Sequence, residues 1–188
     1  MSEYTLYKNA RILDPKSALD IKGALLTKDD KITDFGENVT APDNAKIVDL
    51  NGLCLCPGLI DMRVFVGIPG ADYKDTIVNT GEAAAAGGVT TVCVQPNTDP
   101  IIDSIAHIEH LALRAKNALI NFVAMPAATK QMEGKEMTEI GLMSKAGFNT
   151  FTDCSSTIDN ASLMNKIFKY SSVFDALIIQ HLAEPNLS

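Results

Sequence analysis

From Pro57 onward the chain repeats one rhythm: a short strand-forming run, then a longer Ala-, Leu- or Met-rich stretch with helical periodicity. That alternation restricts the fold to parallel strands joined by crossover helices. Strands are expected at Leu59 to Val66, Thr90 to Gln95, Asn121 to Met125, Thr150 to Thr152 and Ala176 to His181. Helices are expected at Tyr73 to Ala86, Ser104 to Lys116, Glu136 to Lys145 and Asn160 to Ser172. Gly87-Gly88 and Gly147 sit where a helix ends, glycine being the residue that takes the left-handed conformation without penalty. Five such strands suit either a doubly wound sheet or the opening part of a (β/α)8 barrel, which takes about 250 residues and eight strands. The chain has 188 residues, so a barrel would be unfinished, and Pro185 to Ser188 would follow the fifth strand with no covering helix.

The residues before Pro57 follow a different pattern. Leu6 to Leu13, Gly23 to Thr27 and Ile32 to Phe35 are strand signals separated by Asp14-Pro15 and by a polar tip at Asp29-Asp30-Lys31. Ile47 to Leu50, Asn51-Gly52 and Leu53 to Cys56 complete what reads as a small antiparallel β unit. Two domains are therefore expected, 1–56 and 57–188.

At 46% hydrophobic the chain can bury a core, which excludes a disordered tail. A formal charge of −7 gives no electrostatic basis for a nucleic-acid surface or an anionic-membrane anchor. No apolar run approaches the ~20 residues of a membrane span, and Met1 to Lys8 lacks the basic and apolar regions of a signal peptide. A cytoplasmic location is the expectation. Cys54, Cys56, Cys93 and Cys154 lie in apolar or strand-like stretches without CxxC pairing, which predicts buried free thiols.

Chemistry in parallel α/β folds gathers at the C-terminal ends of strands. Here those ends supply Asp61 to Phe65, Gln95 to Asp99, Pro126 to Thr129, Thr152-Asp153 and His181. His107 and His110 stand three apart on an expected helix and read as a solvated or packed face. Pro96-Asn97-Thr98-Asp99-Pro100 is also a turn sequence in which Asn and Asp cap their own backbone.

Several ordered motifs carry a resemblance. Pro57-Gly58-Leu59-Ile60-Asp61-Met62, Pro69-Gly70, Ala85-Ala86-Gly87-Gly88-Val89-Thr90-Thr91 and Gln95-Pro96-Asn97-Thr98-Asp99-Pro100 occur in sequence, followed by Gly147 to Asp153 and Gln180-His181. Together they resemble the dihydroorotase and allantoinase branch of the amidohydrolase superfamily, over essentially the whole chain. The resemblance implies a (β/α)8 TIM barrel of the amidohydrolase type, with about five strands present, and a small N-terminal β-sandwich portion. It also implies zinc and the hydrolysis of a cyclic amide, interconverting N-carbamoyl-L-aspartate and dihydroorotate in pyrimidine biosynthesis.

By the same resemblance, Asn97 falls at a substrate-contacting asparagine, Asp153 at a metal-bridging carboxylate and His181 at a metal-binding histidine. The family's first strand ends in a His-x-His metal pair, and an arginine two residues further on holds the substrate carboxylate. The corresponding positions here are Arg63, Phe65 and Gly67. Neither a guanidinium nor a phenyl ring has a lone pair for a metal. Strand alternation sends Arg63 and Phe65 to one side, where Arg63 either pairs with Asp153 or reaches solvent. With Asp153 and His181 alone, and Cys93 and Cys154 as possible soft donors, zinc binding is expected to be weak or absent and turnover negligible. Two alternatives follow: a non-catalytic subunit that binds aspartate carbamoyltransferase, an active dihydroorotase or its own copies, and a hydrolase of another cyclic amide.

Overall fold

The computed structural model describes residues 3–71, 73 and 76–183. The chain divides after Pro57 into two compact units. In the first, β1 (Tyr4–Asp14), β2 (Leu19–Lys28) and β3 (Lys31–Gly36) form an antiparallel meander. Its β2–β3 tip is set by Asp29, whose backbone is left-handed and whose carboxylate accepts from the Glu3 N–H at 2.8 Å. The short strands β4 (Lys46–Asp49) and β5 (Cys54–Leu55) then pair with β1 in parallel, giving the order β3-β2-β1-β4 with β5 also on β1.

The unit is thus a mixed sheet, where the sequence suggested an antiparallel one, and among the described residues it is a single sheet and not a sandwich. The cause lies in β1: at Asn9 its register with β2 shifts, and Asn9 turns its amide to the Asp49 carboxylate at 2.9 and 2.8 Å. Backbone bonds from Leu50 to Lys8, Gly52 to Asn9 and Arg11 to Leu53 hold the later strands alongside β1 in its own direction. Ala10, Ile12, Ala24 and Leu26 form the buried side chains of this unit.

The second unit carries the alternation. β6 (Leu59–Val64), β7 (Val89–Val94) and β8 (Asn121–Ala124) form a parallel sheet, and β9 (Thr150–Thr152) and β10 (Leu177–Ile179) a parallel pair. The Thr152 N–H donates to the Pro126 carbonyl at 3.0 Å, which sets the end of β9 beside the end of β8. Between successive strands run α1 (Ile77–Ala86), α2 (Ile105–Ala115), α3 (Ile140–Lys145) and α4 (Ala161–Ser171).

Thr76 and Asn160 cap α1 and α4 with side-chain oxygens, accepting from Asn79 and Leu163. Gly88 and Gly147 follow helix ends with φ of +79° and +98°. Asp72, Lys74 and Asp75, in the stretch expected to begin α1, lie outside the described residues, as do Pro185 to Ser188. Helix α3 is shorter than its sequence suggested. Thr138 bonds the Ala127 carbonyl through its hydroxyl and the Ala128 carbonyl through its N–H, so residues 136–138 run beside the loop after β8.

The core of this unit lies between the strands and the helices. Val92 and Val94 of β7 and Phe151 of β9 meet Ile108 and Leu111 of α2, Met143 of α3 and Ile167 of α4. Each such side chain contributes about 1.5–3 kcal/mol by leaving water. Residues of opposite parity, Thr91, Cys93 and Gln95 or Thr152 and Cys154, point to the other face.

Candidate functional site

At the C-terminal ends of the strands that other face borders an open cleft of about 130 Å³. One wall is polar: Arg63 from β6, Gln95 after β7, Thr152 and Cys154 at the end of β9, and His181 after β10. Met62, Met125 and Ile179 add apolar lining, Met62 being 70% exposed. Gln95 is only 5% exposed. Thr152 is buried too, and its hydroxyl oxygen accepts from the Cys154 N–H at 3.1 Å. The Arg63 backbone N–H donates to Asp61 at 3.0 Å, while its guanidinium makes no ion pair among the described residues.

Asp153 points elsewhere. It shares the parity of Phe151, so its carboxylate enters the core side, 2% exposed. There Oδ1 accepts from the N–H groups of Ala128 and Thr129, both at 2.9 Å, and Oδ2 accepts from the Thr129 hydroxyl. Burial pushes its pKa above the ordinary carboxylate value, the three hydrogen bonds opposing that shift. Asp153 thus fastens the loop after β8 to β9. No Arg63–Asp153 ion pair forms, because the two side chains leave their strands toward different faces.

The remaining candidates are dispersed. Phe65 lies past the end of β6, half-exposed, and takes no part in the cavity wall; a register shift between Asp61 and Val64 interrupts the alternation that would put it beside Arg63. Asn97 is half-buried in the loop after β7, outside this cavity, with an unpartnered buried Oδ1. The turn there is held by Thr98, whose hydroxyl donates to the Pro100 carbonyl at 2.8 Å, and not by Asn97. His110 is exposed, whereas His107 approaches Asp103 one turn earlier at 3.4 Å. All four cysteines are free, but Cys54 and Cys56 are exposed, since β5 is too short to cover them; only Cys154 is buried. Gln95 had no role assigned from sequence, although its spacing of two from Cys93 and four from Thr91 marks it as facing the cavity.

The Dihydro-orotase-like family profile matches residues 52–187. The chain belongs to this family. A dihydroorotase of Wolbachia from Drosophila simulans is 44% identical over 183 residues, 97% of this chain and 41% of that protein. Those of Ehrlichia chaffeensis and Bacillus cereus are 41% and 36% identical, again over 97% of the chain and 41% and 42% of their own length. The chain therefore spans about two fifths of the curated dihydroorotases it matches. Among solved structures, L-hydantoinase from Arthrobacter aurescens superposes with a TM-score of 0.75 at 20% identity, over 95% of this chain and 40% of that one. Dihydropyrimidinase from Brevibacillus agri gives 0.71 at 17%, over 93% and 39%. These likenesses establish a shared α/β fold.

Dihydroorotases are generally zinc enzymes, so the cavity's donor set is the relevant test. Zinc takes imidazole, thiolate or carboxylate, usually four ligands in a closed site or three plus water in a catalytic one. Of the walls described, only His181 and Cys154 offer such atoms, and a permanently charged guanidinium stands with them. Among the described residues no three His, Cys, Asp or Glu side chains gather into a group able to hold a metal ion. Among the described residues, His181 and Cys154 of this cavity make a smaller donor set than zinc takes.

Proposed function

We propose that β6 to β10 are strands of an amidohydrolase-type (β/α)8 barrel, that the β unit is part of the accompanying sandwich, and that the protein is a dihydroorotase-like member of pyrimidine biosynthesis with weak or absent metal-dependent hydrolysis. Its family reaction is the interconversion of N-carbamoyl-L-aspartate and dihydroorotate. The reading takes Arg63 and Phe65 as replacements of the His-x-His pair, with Asp153 and His181 at family metal positions and Asn97 at a substrate position. The observation that carries it is the guanidinium of Arg63 in one cavity wall with His181, while the Asp153 carboxylate serves the backbone at Ala128 and Thr129.

The chemical consequence follows from charge. A metal lowers the pKa of bound water and polarises the amide carbonyl; a guanidinium supplies neither a nucleophile nor a Lewis acid. Losing about 4 kcal/mol of transition-state stabilisation slows a reaction roughly a thousandfold. The test is cyclisation of N-carbamoyl-L-aspartate by the purified protein, with zinc supplied. Turnover within tenfold of an active dihydroorotase assayed alongside would contradict the reading.

A second reading is favoured by one feature: Leu59, Ile60 and Met62 on β6 are 57%, 63% and 70% exposed. Exposed apolar strand surface favours association. On this reading the chain is a non-catalytic subunit whose partner is aspartate carbamoyltransferase, an active dihydroorotase or a second copy. Light scattering on a size-exclusion column, with the chain alone and with each enzyme, tests it; a monomer throughout would remove its support.

A further inference from the structure

We propose that α2 carries a site of its own for a divalent late transition-metal ion, with Nε2 of His107 and the imidazole of His110 as its protein ligands and Asp103 behind His107 as the group that orients it. The site shares no residue with the cleft at the strand ends, so it stands or falls independently of the reading above.

Helical spacing places the donors together. Residues three and four apart share one stripe of a helix, and Asp103, His107 and His110 follow one another along such a stripe where the chain enters α2. Ile108 and Leu111 turn into the core, which leaves this stripe at the boundary with water. His110 is exposed, and the His107 side chain is 31% exposed.

The buried side of His107 supplies the second observation. Its Nδ1 is shut off from water and lies 3.4 Å from Asp103 Oδ1, with no hydrogen-bond partner among the described residues. Asp103 is itself fixed: its side chain is 12% exposed, and Oδ2 accepts from the Gln131 backbone N–H at 3.2 Å and from the Gln131 side-chain amide at 3.0 Å. A carboxylate held behind one ring nitrogen keeps the proton there and leaves the lone pair on the other, Nε2. The 3.4 Å contact is long for a hydrogen bond. An ion on Nε2 draws electron density from the ring, makes Nδ1–H a stronger donor and satisfies both buried partners at once.

The donor type selects the ion. Imidazole nitrogen suits nickel, copper and zinc, whereas magnesium and calcium take oxygen. Two imidazoles facing water leave the other coordination positions to water, so the ion exchanges freely and is lost when free metal is removed. Lys130, whose charge reaches Asp103, is paired with Glu136. Because Asp103 also fastens Gln131 in the loop after β8, an ion that draws His107 onto Asp103 tightens the junction between that loop and α2.

The experiment is calorimetric titration of the untagged chain with nickel chloride and with magnesium chloride, its exposed thiols alkylated so that Cys54 and Cys56 do not compete. Saturable binding of one nickel ion per chain and none of magnesium is expected, weakened about tenfold or more in His107→Gln and in His110→Gln. Asp103→Asn should weaken it severalfold, and His181→Gln should leave it unchanged. Nickel should also raise the unfolding midpoint of the native chain and not that of His110→Gln, whose exposed side chain is not needed for folding. No nickel binding, equal binding of magnesium, unchanged affinity in a folded His110→Gln or in Asp103→Asn, or loss of binding in His181→Gln would each overturn the assignment.

Discussion

At the scale of single residues, the molecule distinguishes two neighbours, Asp153 and Cys154, by parity alone. The aspartate is a structural group: replacing it by alanine leaves two buried N–H groups and a hydroxyl without their acceptor. Asp153→Ala should lose about 3 kcal/mol in urea unfolding, and a loss below about 0.5 kcal/mol would show that the loop is held otherwise. The pH dependence has a definite sign. Burial raises this carboxyl above its ordinary value of 3.8, so the folded state takes up protons that the unfolded chain releases. Its contribution is therefore fully present below the unfolded value and declines as pH rises through the folded one. Asp153→Asn does not titrate, and the stability difference between native protein and variant should move in the variant's favour as pH rises above the ordinary carboxyl value of 3.8.

Thiol reactivity gives a second residue-scale prediction. Exposed Cys54 and Cys56 should react quickly with a disulfide reagent in the native protein. Cys93, whose pKa is raised first by burial and then by Asp61, should lag, and buried Cys154 should react last. Four equal rates would contradict the burial described. This distinction was hidden in the sequence, where all four sit in similar apolar runs. The orientation of Asp153 was misread from the sequence, which set it beside Arg63, whereas its spacing of two from core Phe151 gives it that residue's face. A motif position names a residue without saying where its side chain goes.

At the scale of elements, punctuation was the most readable signal. Asn160 as the cap of α4 and Gly147 as the left-handed residue beyond α3 both stand where side-chain chemistry puts them. Asn160→Ala should cost about 1 kcal/mol through the lost acceptor for Leu163. Gly147→Ala should cost about 1 kcal/mol or more from backbone strain alone, since the added Cβ meets nothing within 4 Å. Thermal unfolding compares the two, and an unchanged midpoint in either would contradict its assignment. Strand direction was less readable. The short β4 and β5 carry too little alternation to fix a direction, and their parallel pairing with β1 is set by contacts some forty residues apart in sequence, Asn9 with Asp49 among them. The truncation of α3 is similar: residues 136–138 have helix-compatible sequence, and tertiary bonds from Thr138 override it.

At the scale of the whole molecule, family membership and the proposed weakening of metal chemistry depend on different positions. The motifs that close helices and shape strand-end loops are kept, and with them the fold shared with hydantoinases. The cavity's walls carry a guanidinium, an amide and a hydroxyl where a metal site needs lone pairs held by several imidazoles, thiolates or carboxylates. Ile60→Lys or Met62→Lys should lower self-association if exposed β6 drives it, and analytical ultracentrifugation would read an unchanged mass distribution as evidence against that surface. The most direct test of the central claim is elemental analysis of the purified chain after equilibration with zinc and removal of the free ion. Well under one zinc per chain is predicted, rising little in Arg63→Gln because the missing donors are not restored. One tightly held zinc per chain, lost on replacing His181 or Cys154, would contradict it.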